Sequence, residues 1–248
     1  MSIKTSGKNA AKPLTAKRGG RADNKLICDT SSFHVREAFK TIRTNLQFAL
    51  ATSDKKSIVI ASAMPNEGKS TSSANLAIVL AQTGAQVLLM DCDLRKPSVH
   101  RIFRLTTDKG VTSILCGIDT IEQALHENVA PNLDIITAGP LSPNPSELLG
   151  SSRMKDLLDI VQKAYDYVIL DASPMNLVSD AVIVAKQTAG VVLIVRQDQS
   201  RHEHLQKCIE SCEFAGVNIL GIIINEARNS KSYHYGYGFE YSRTADRS

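Results

Sequence analysis

The 248-residue sequence predicts an α/β fold, a mostly parallel sheet with helices on both faces. Three observations predict it. Six short apolar runs are spread through the chain, helical stretches separate them, and no run reaches the about 18 apolar residues that a membrane-spanning helix needs. The runs are "SIVIAS" from Ser57, "QVLLMD" from Gln86, "LDIITA" from Leu133, "DYVILD" from Asp166, "GVVLIV" from Gly190 and "ILGIII" from Ile219. Their hydrophobicity is continuous, which marks strands buried on both faces. Between them, "STSSANLAIVLAQTG" and "SELLGSSRMKDLLDIVQKAY" read as helices, so crossover connections follow.

Composition fits one globular domain with two tails, at 43% hydrophobic and 22% charged. Residues 1–30 form the first tail. Over residues 1–25 it holds seven basic side chains (Lys4, Lys8, Lys12, Lys17, Arg18, Arg21, Lys25) against Asp23, so flexibility is expected. A solvated tail and attraction to an anionic surface are both open. The folded domain is expected over residues 31–227, beginning with a helix at 31–50. On that helix Glu37, Lys40 and Arg43 repeat at three-residue spacing on nearly one face, the pattern of an intrahelical pair or of a subunit contact. Five cysteines without a C-x-x-C pair indicate neither a disulfide framework nor a zinc knuckle, which fits a reduced cytosol.

In sheets of this kind ligands bind at the carboxyl ends of the strands. After "SIVIAS" comes "AMPNEGKST", which puts Gly68, Lys69, Ser70 and Thr71 at a helix N-terminus, where free N–H groups face anions. The pattern G-x-x-x-x-G-K-[ST] asks for glycine where Ala63 stands. Asn66 can supply a positive φ in a glycine's place, Lys69 would reach β and γ phosphates, and Ser70 would ligate Mg²⁺. The second end, "VLLMDCDLRKP", sets Asp91 and Asp93 two apart, turning both carboxylates to one side of an extended segment. The third, "YDYVILDASP", ends in Asp171, placed to hold or orient a metal-bound water. Arg95 and Lys96 read as solvated charges or as phosphate contacts. Asn225, ending the last run, reads as an adenine contact or as a cap.

The second tail, 228–248, carries Tyr233, Tyr235, Tyr237 and Tyr241 within "YHYGYGFEY", interleaved with glycine and polar residues. No core can form there. His202 and His204 have poor metal spacing, and Cys208 and Cys212 read as packing residues.

Taken together, "REAFKTIRTNLQF", "PNEGKST", "LLMDCDLRKPSVH", "GPLSPNPSELLGSSRM", "YDYVILDASP" and the terminal tyrosines resemble the stand-alone cytoplasmic kinase half of the bacterial tyrosine kinases of capsule and exopolysaccharide synthesis. The match covers about residues 33 to 241, with Asn66, Lys40 and "DASP" departing from that family's usual P-G-E-G-K-S-T, E-x-x-R-x-x-R and D-T-P-P. The resemblance implies a P-loop NTPase-type domain using ATP and Mg²⁺. It implies nucleotide binding by Asn66, Glu67, Gly68, Lys69, Ser70, Thr71 and Asn225, and metal binding by Ser70, Asp93 and Asp171. Catalysis would fall to Lys69, Asp91, Asp93 and Asp171, with Asp91 the candidate base. Tyr233, Tyr235, Tyr237 and Tyr241 would be phosphorylated in trans. Glu37, Lys40 and Arg43 would serve contacts within a ring-like homo-oligomer. The partners implied are a membrane-embedded polysaccharide chain-length regulator, whose cytoplasmic tail activates the kinase, and a phosphotyrosine phosphatase; nucleic acid is not expected. Localisation would be cytoplasmic, with recruitment to the inner membrane face. Two other readings share the fold: a partitioning or septum-placement ATPase, whose loop-opening lysine is Met64 here, and a non-catalytic nucleotide-binding scaffold.

Overall fold

The computed structural model describes residues 26–28 and 30–227. Helix α1 (Phe33–Leu50) starts where the Ser32 hydroxyl accepts the Val35 N–H. Strand β1 (Ser57–Ser62) then leads into α2 (Lys69–Ala81), and β2 (Val87–Asp91) into the short helices α3 (Val99–Phe103), α4 (Val111–Leu115) and α5 (Ile121–Ala124). A hairpin of β3 (Leu125–Ala130) and β4 (Leu133–Ile136) follows, then α6 (Pro145–Leu149), α7 (Ser152–Ala164) and β5 (Tyr167–Asp171). The chain continues through α8 (Asp180–Ala185), β6 (Val191–Arg196), α9 (His202–Ala215) and β7 (Ile219–Asn225).

The seven strands form one sheet in the order β3-β4-β2-β5-β1-β6-β7, parallel except for the β3–β4 pair. The three strands whose ends carry the candidate acids and loop, β2, β5 and β1, are therefore neighbours. Register places Asp171 beside both Asp91 and Ile60, so β2 and β5 finish at one level and β1 runs two residues further, to Ser62, before the loop begins.

Alternation along each strand divides the core in two. Ile58 and Ile60 of β1 face α1 and α2, while Val59 and Ala61 face the layer of α4, α7, α8 and α9. Helix α2 is buried from Ser72 to Ala81, and its small residues (Ser72, Ser73, Ala74, Ala77) let it lie between the sheet and α1. Asn75 on this helix accepts the Ile27 N–H at 2.8 Å, and Ile27 itself is buried. Packing thus reaches back to Ile27, ahead of the boundary expected at residue 31.

All six expected strands are present, each within two residues of its expected ends. The sequence reading did not anticipate β3: its "LHENVA" is polar and irregular, as an antiparallel edge strand can be. The stretch expected as one helix at 146–165 is two, because Gly150 caps α6 and the Ser151 hydroxyl accepts the Met154 N–H to start α7. The basic segment at 1–25 and the tyrosine segment at 228–248 lie outside the described residues.

Beyond the β2–β4 ladder and the bonds of Asn132 at its turn, the edge hairpin is fastened to α7 by a tyrosine. Tyr165, buried at the end of α7, donates its hydroxyl to Asp134 of β4 at 2.7 Å, while the other Asp134 oxygen accepts the Asn128 N–H. Tyr165→Phe is expected to cost about 1–2 kcal/mol of unfolding free energy in urea titration, since it strands one side of a charge-assisted bond. An unchanged midpoint would show that water replaces the hydroxyl.

Candidate active site

The phosphate-type loop runs from β1 into α2. Asn66 takes φ +67° and Gly68 φ +91°, so two left-handed residues bend the chain and leave the α2 N–H groups facing outward. Gly68 has little choice: a Cβ there would lie 2.1 Å from Asn225 Nδ2. Asn225 donates that amide to the Glu67 carbonyl at 3.0 Å, so the end of β7 holds the loop from behind.

Lys69 turns into the sheet edge. Its Nζ lies 2.8 Å from Asp93 Oδ2, 3.4 Å from Asp171 Oδ2 and 3.2 Å from Ser70 Oγ, with the side chain 11% exposed. Burial works against the Lys69 charge, but the facing Asp171 and Asp93 outweigh it and hold the pKa above the usual lysine value. Asp171 is fully buried and also accepts the Ser73 hydroxyl at 3.1 Å; burial lifts its pKa against the pull of Lys69. Asp93 further accepts the Lys96 N–H and the Ser173 hydroxyl, each at 3.0 Å.

Asp91 faces elsewhere. Its Oδ2 accepts the N–H groups of Ser98 and Val99 at 3.0 Å, fixing the start of α3, and its Oδ1 takes the Asp93 N–H at 3.2 Å. Burial, with repulsion from Asp171, pushes the Asp91 carboxyl up to about 7. The two acids of "DCD" therefore do not share one side. Asp93 joins Lys69 and Asp171, while Asp91 braces the turn that follows.

Glu67 likewise turns inward. It is 1% exposed, accepts the Met64 N–H at 2.9 Å and bonds the Ser200 hydroxyl, so the loop residue open to a ligand is its backbone and not its carboxylate. Arg95 is neither free nor phosphate-directed. It grips the buried Asp180 with Nε at 2.7 Å and Nη2 at 3.1 Å, beside Ser146, whose hydroxyl lies 2.5 Å from Asp180. Burial works against the Asp180 charge, but the Arg95 and Ser146 bonds overcome it and hold the carboxyl below the usual range. Ser146, Ser173, Asp180, Arg196 and Ser200 were not singled out by the sequence. Apart from Ser146 and Ser173, which fall inside motif stretches, they carried no local signal.

On α1, Glu37 and Lys40 pair with each other at 2.7 Å, while Arg43 turns under the helix to the Val79 carbonyl at 3.3 Å. Of the two readings for this face, the intrahelical pair is present. The four tyrosines of 233–241 lie outside the described residues.

The donor set suits Mg²⁺. Ser70 Oγ, Asp93 and Asp171 are hard oxygen donors converging on one point, and the Lys69 ammonium stands there as a cation. Among the described residues no cage of three His, Cys, Asp or Glu side chains exists, so phosphate and water oxygens would complete the shell.

A phosphate loop opening a helix, with acids at the ends of neighbouring parallel strands, defines a nucleotide-binding ATPase of the P-loop class. A family model described as AAA domain matches residues 55–213. The chain is 42% identical over 225 residues to the tyrosine-protein kinase YwqD of Bacillus subtilis, covering 90% of this chain and 95% of that protein. It is 36% identical over 212 residues to the tyrosine-protein kinase Etk of Escherichia coli, covering 86% of this chain but only 29% of that longer protein. The solved kinase domain of Escherichia coli ETK superposes with a TM-score of 0.76 at 35% identity, covering 82% of this chain and 80% of that one. The chain belongs to the bacterial tyrosine-protein kinases, enzymes that move a phosphoryl group from ATP to protein tyrosine.

Two variants probe this geometry. Gly68→Ala, strained at φ +91° and colliding with Asn225, is expected to weaken ATP binding about tenfold or more by calorimetry. Arg95→Ala leaves Asp180 buried with hydroxyl partners alone, an expected loss of about 1–3 kcal/mol once the 41% exposure of Arg95 is discounted. Because the folded pKa of Asp180 is depressed, the parent's advantage should be full above its ordinary value of 3.8 and fade as pH falls through the folded pKa. Denaturation midpoints of both proteins from about pH 2 to pH 6, a range that reaches well below the ordinary carboxylate value, would check the sign.

Proposed function

We propose that this chain autophosphorylates in trans, carrying the ATP γ-phosphoryl group to Tyr233, Tyr235, Tyr237 and Tyr241 of a neighbouring copy, and so regulates capsular or exopolysaccharide synthesis and export. The convergence of Lys69, Ser70, Asp93 and Asp171 at one sheet edge is the observation that carries this reading. Such transfer is mostly a matter of positioning and charge stabilisation. The backbone N–H groups of residues 66–71 and the positive end of α2 would receive phosphate oxygens, and Asn225 would border the adenine side. Lys69 would stabilise negative charge between the β and γ phosphates. Mg²⁺ held by Ser70, Asp93 and Asp171 would neutralise further charge there. Asp91 is assigned as proton acceptor for the phenol. Its Oδ1, which takes only the longer bond from Asp93, would be the oxygen to accept the proton once substrate reaches this buried carboxylate, while Oδ2 stays on the α3 backbone.

The resemblance supports a wider assembly. The kinase would form a ring-like homo-oligomer through α1, with Glu37, Lys40 and Arg43 at the contact. A membrane-embedded chain-length regulator would activate it through a cytoplasmic tail, and a phosphotyrosine phosphatase would reset it. Among the described residues no helix is long and apolar enough to cross a membrane. By the resemblance, the kinase would be cytoplasmic and the partner would bring it to the inner membrane face. Each phosphate adds about −1.5 to −2 charges, so a fully modified tail would repel its neighbours.

Mass-spectrometric mapping of phosphotyrosine after incubation with Mg²⁺ and ATP, with and without an activator tail, tests the reading directly. Phosphate on Tyr233 to Tyr241 in the parent and none in Lys69→Met is the expected result. ATP hydrolysis with those tyrosines bare, even with the activator, would refute it.

A further inference from the structure

The phosphate loop is held at two points from one short turn outside it. Asn66, a non-glycine residue at φ +67°, presents its carbonyl to Arg196 Nη1 at 3.3 Å. The next residue, Glu67, is buried and bonds the Ser200 hydroxyl. Arg196 and Ser200 are the two ends of the turn between β6 and α9, and they are joined to each other. Ser200 Oγ accepts the Arg196 N–H at 2.7 Å, and the Ser200 N–H returns to the Arg196 carbonyl at 2.9 Å. The turn is in turn fixed to β7: Gln197 N–H reaches the Asn225 carbonyl at 3.0 Å, and Glu226 pairs with the Arg196 guanidinium.

We infer that Arg196 and Ser200 are positioning residues for nucleotide binding, fixing the left-handed Asn66 and the buried Glu67 so that the loop's N–H groups are preset for phosphate. The physical need is specific. A left-handed asparagine is strained relative to glycine, so the loop's shape must be imposed from outside. A buried carboxylate must keep its donors, and Glu67 has two, the Met64 N–H inside the loop and the Ser200 hydroxyl outside it. The Ser200 bond therefore ties the Glu67 carboxylate to the turn after β6, as Asn225 ties the Glu67 carbonyl to β7. Arg196 does the same for the loop's exposed crest. Neither side chain touches the point where Lys69, Asp93 and Asp171 meet, so both act through the loop and not on the reacting atoms.

This inference rests on the loop being the nucleotide site proposed above, and Lys69→Met separates the two. If Lys69→Met binds ATP like the parent, the site assignment fails. Given loss of ATP binding there, Ser200→Ala is expected to raise the KM for ATP about tenfold with kcat changed less than about threefold, and Ser200→Thr, which keeps the hydroxyl, to recover most of it. Arg196→Ala should raise KM in the parent, and the same change on an Asn66→Gly background should cost less than half as much, because glycine takes the left-handed shape unaided. Thermal midpoints confirm that each variant is folded. A parent-like KM in Ser200→Ala, or an Arg196→Ala effect of equal size on both backgrounds, would overturn the inference.

Discussion

The structure depends on one buried meeting of charges, the Lys69 ammonium between Asp93 and Asp171. It can exist only because β5 lies between β1 and β2 and their carboxyl ends fall on the same side of the sheet, so that a loop, a strand extension and a strand end present side chains to a single point. Each partner is fixed by something else. Ser73 holds Asp171, Ser173 and the Lys96 N–H hold Asp93, and the left-handed Gly68 starts the helix that carries Lys69. The parallel sheet thus acts as the ruler that sets the spacing of the site.

The cluster is not electrically complete. Two buried carboxylates, Asp93 and Asp171, face one buried ammonium with Asp91 beside them, an excess of negative charge; burial first, and then repulsion from a neighbouring acid, raises the pKa of Asp91 and of Asp171. Burying uncompensated charge is costly, so a fold keeps such an arrangement where function requires it. A divalent cation is the charge the excess calls for, and Ser70 adds a hard oxygen at the same point. Asp91 limits its share of the imbalance by accepting three backbone N–H groups, which makes it structural whatever chemistry it serves.

Much of this was legible in the sequence, and the reasons differ by element. Buried parallel strands are continuous apolar runs, so six of them stood out, and "GKST" after the first fixed the loop. Strand β3 was invisible because an edge strand with "HEN" at its centre carries no such run. The α6–α7 break was missed because a helical period continues across "LLGSSRM", although Gly150 and Ser151 are stop and start signals. The facing of Asp91 and Asp93 was misjudged because extended geometry ends at Asp91, and the chain beyond it turns to cap α3. Asp180, Arg196 and Ser200 lie far along the chain from the groups they hold. Pairings of that kind are set by tertiary packing and have no local pattern.

Helix α1 carries the face proposed above as a subunit contact, and its three residues are held differently. The Glu37–Lys40 pair is exposed and worth about 0–1 kcal/mol, so exchanging it for contacts with another surface costs almost nothing. Arg43 is different. It reaches under the helix to the Val79 carbonyl near the end of α2, and among the described residues its buried Nε has no partner. Withdrawing it would strand a carbonyl and loosen α1 from the layer beneath. The three-residue repeat thus divides into two exchangeable charges and one anchor: any neighbouring subunit that uses this face gains Glu37 and Lys40 cheaply, while Arg43 keeps the helix in place to present them.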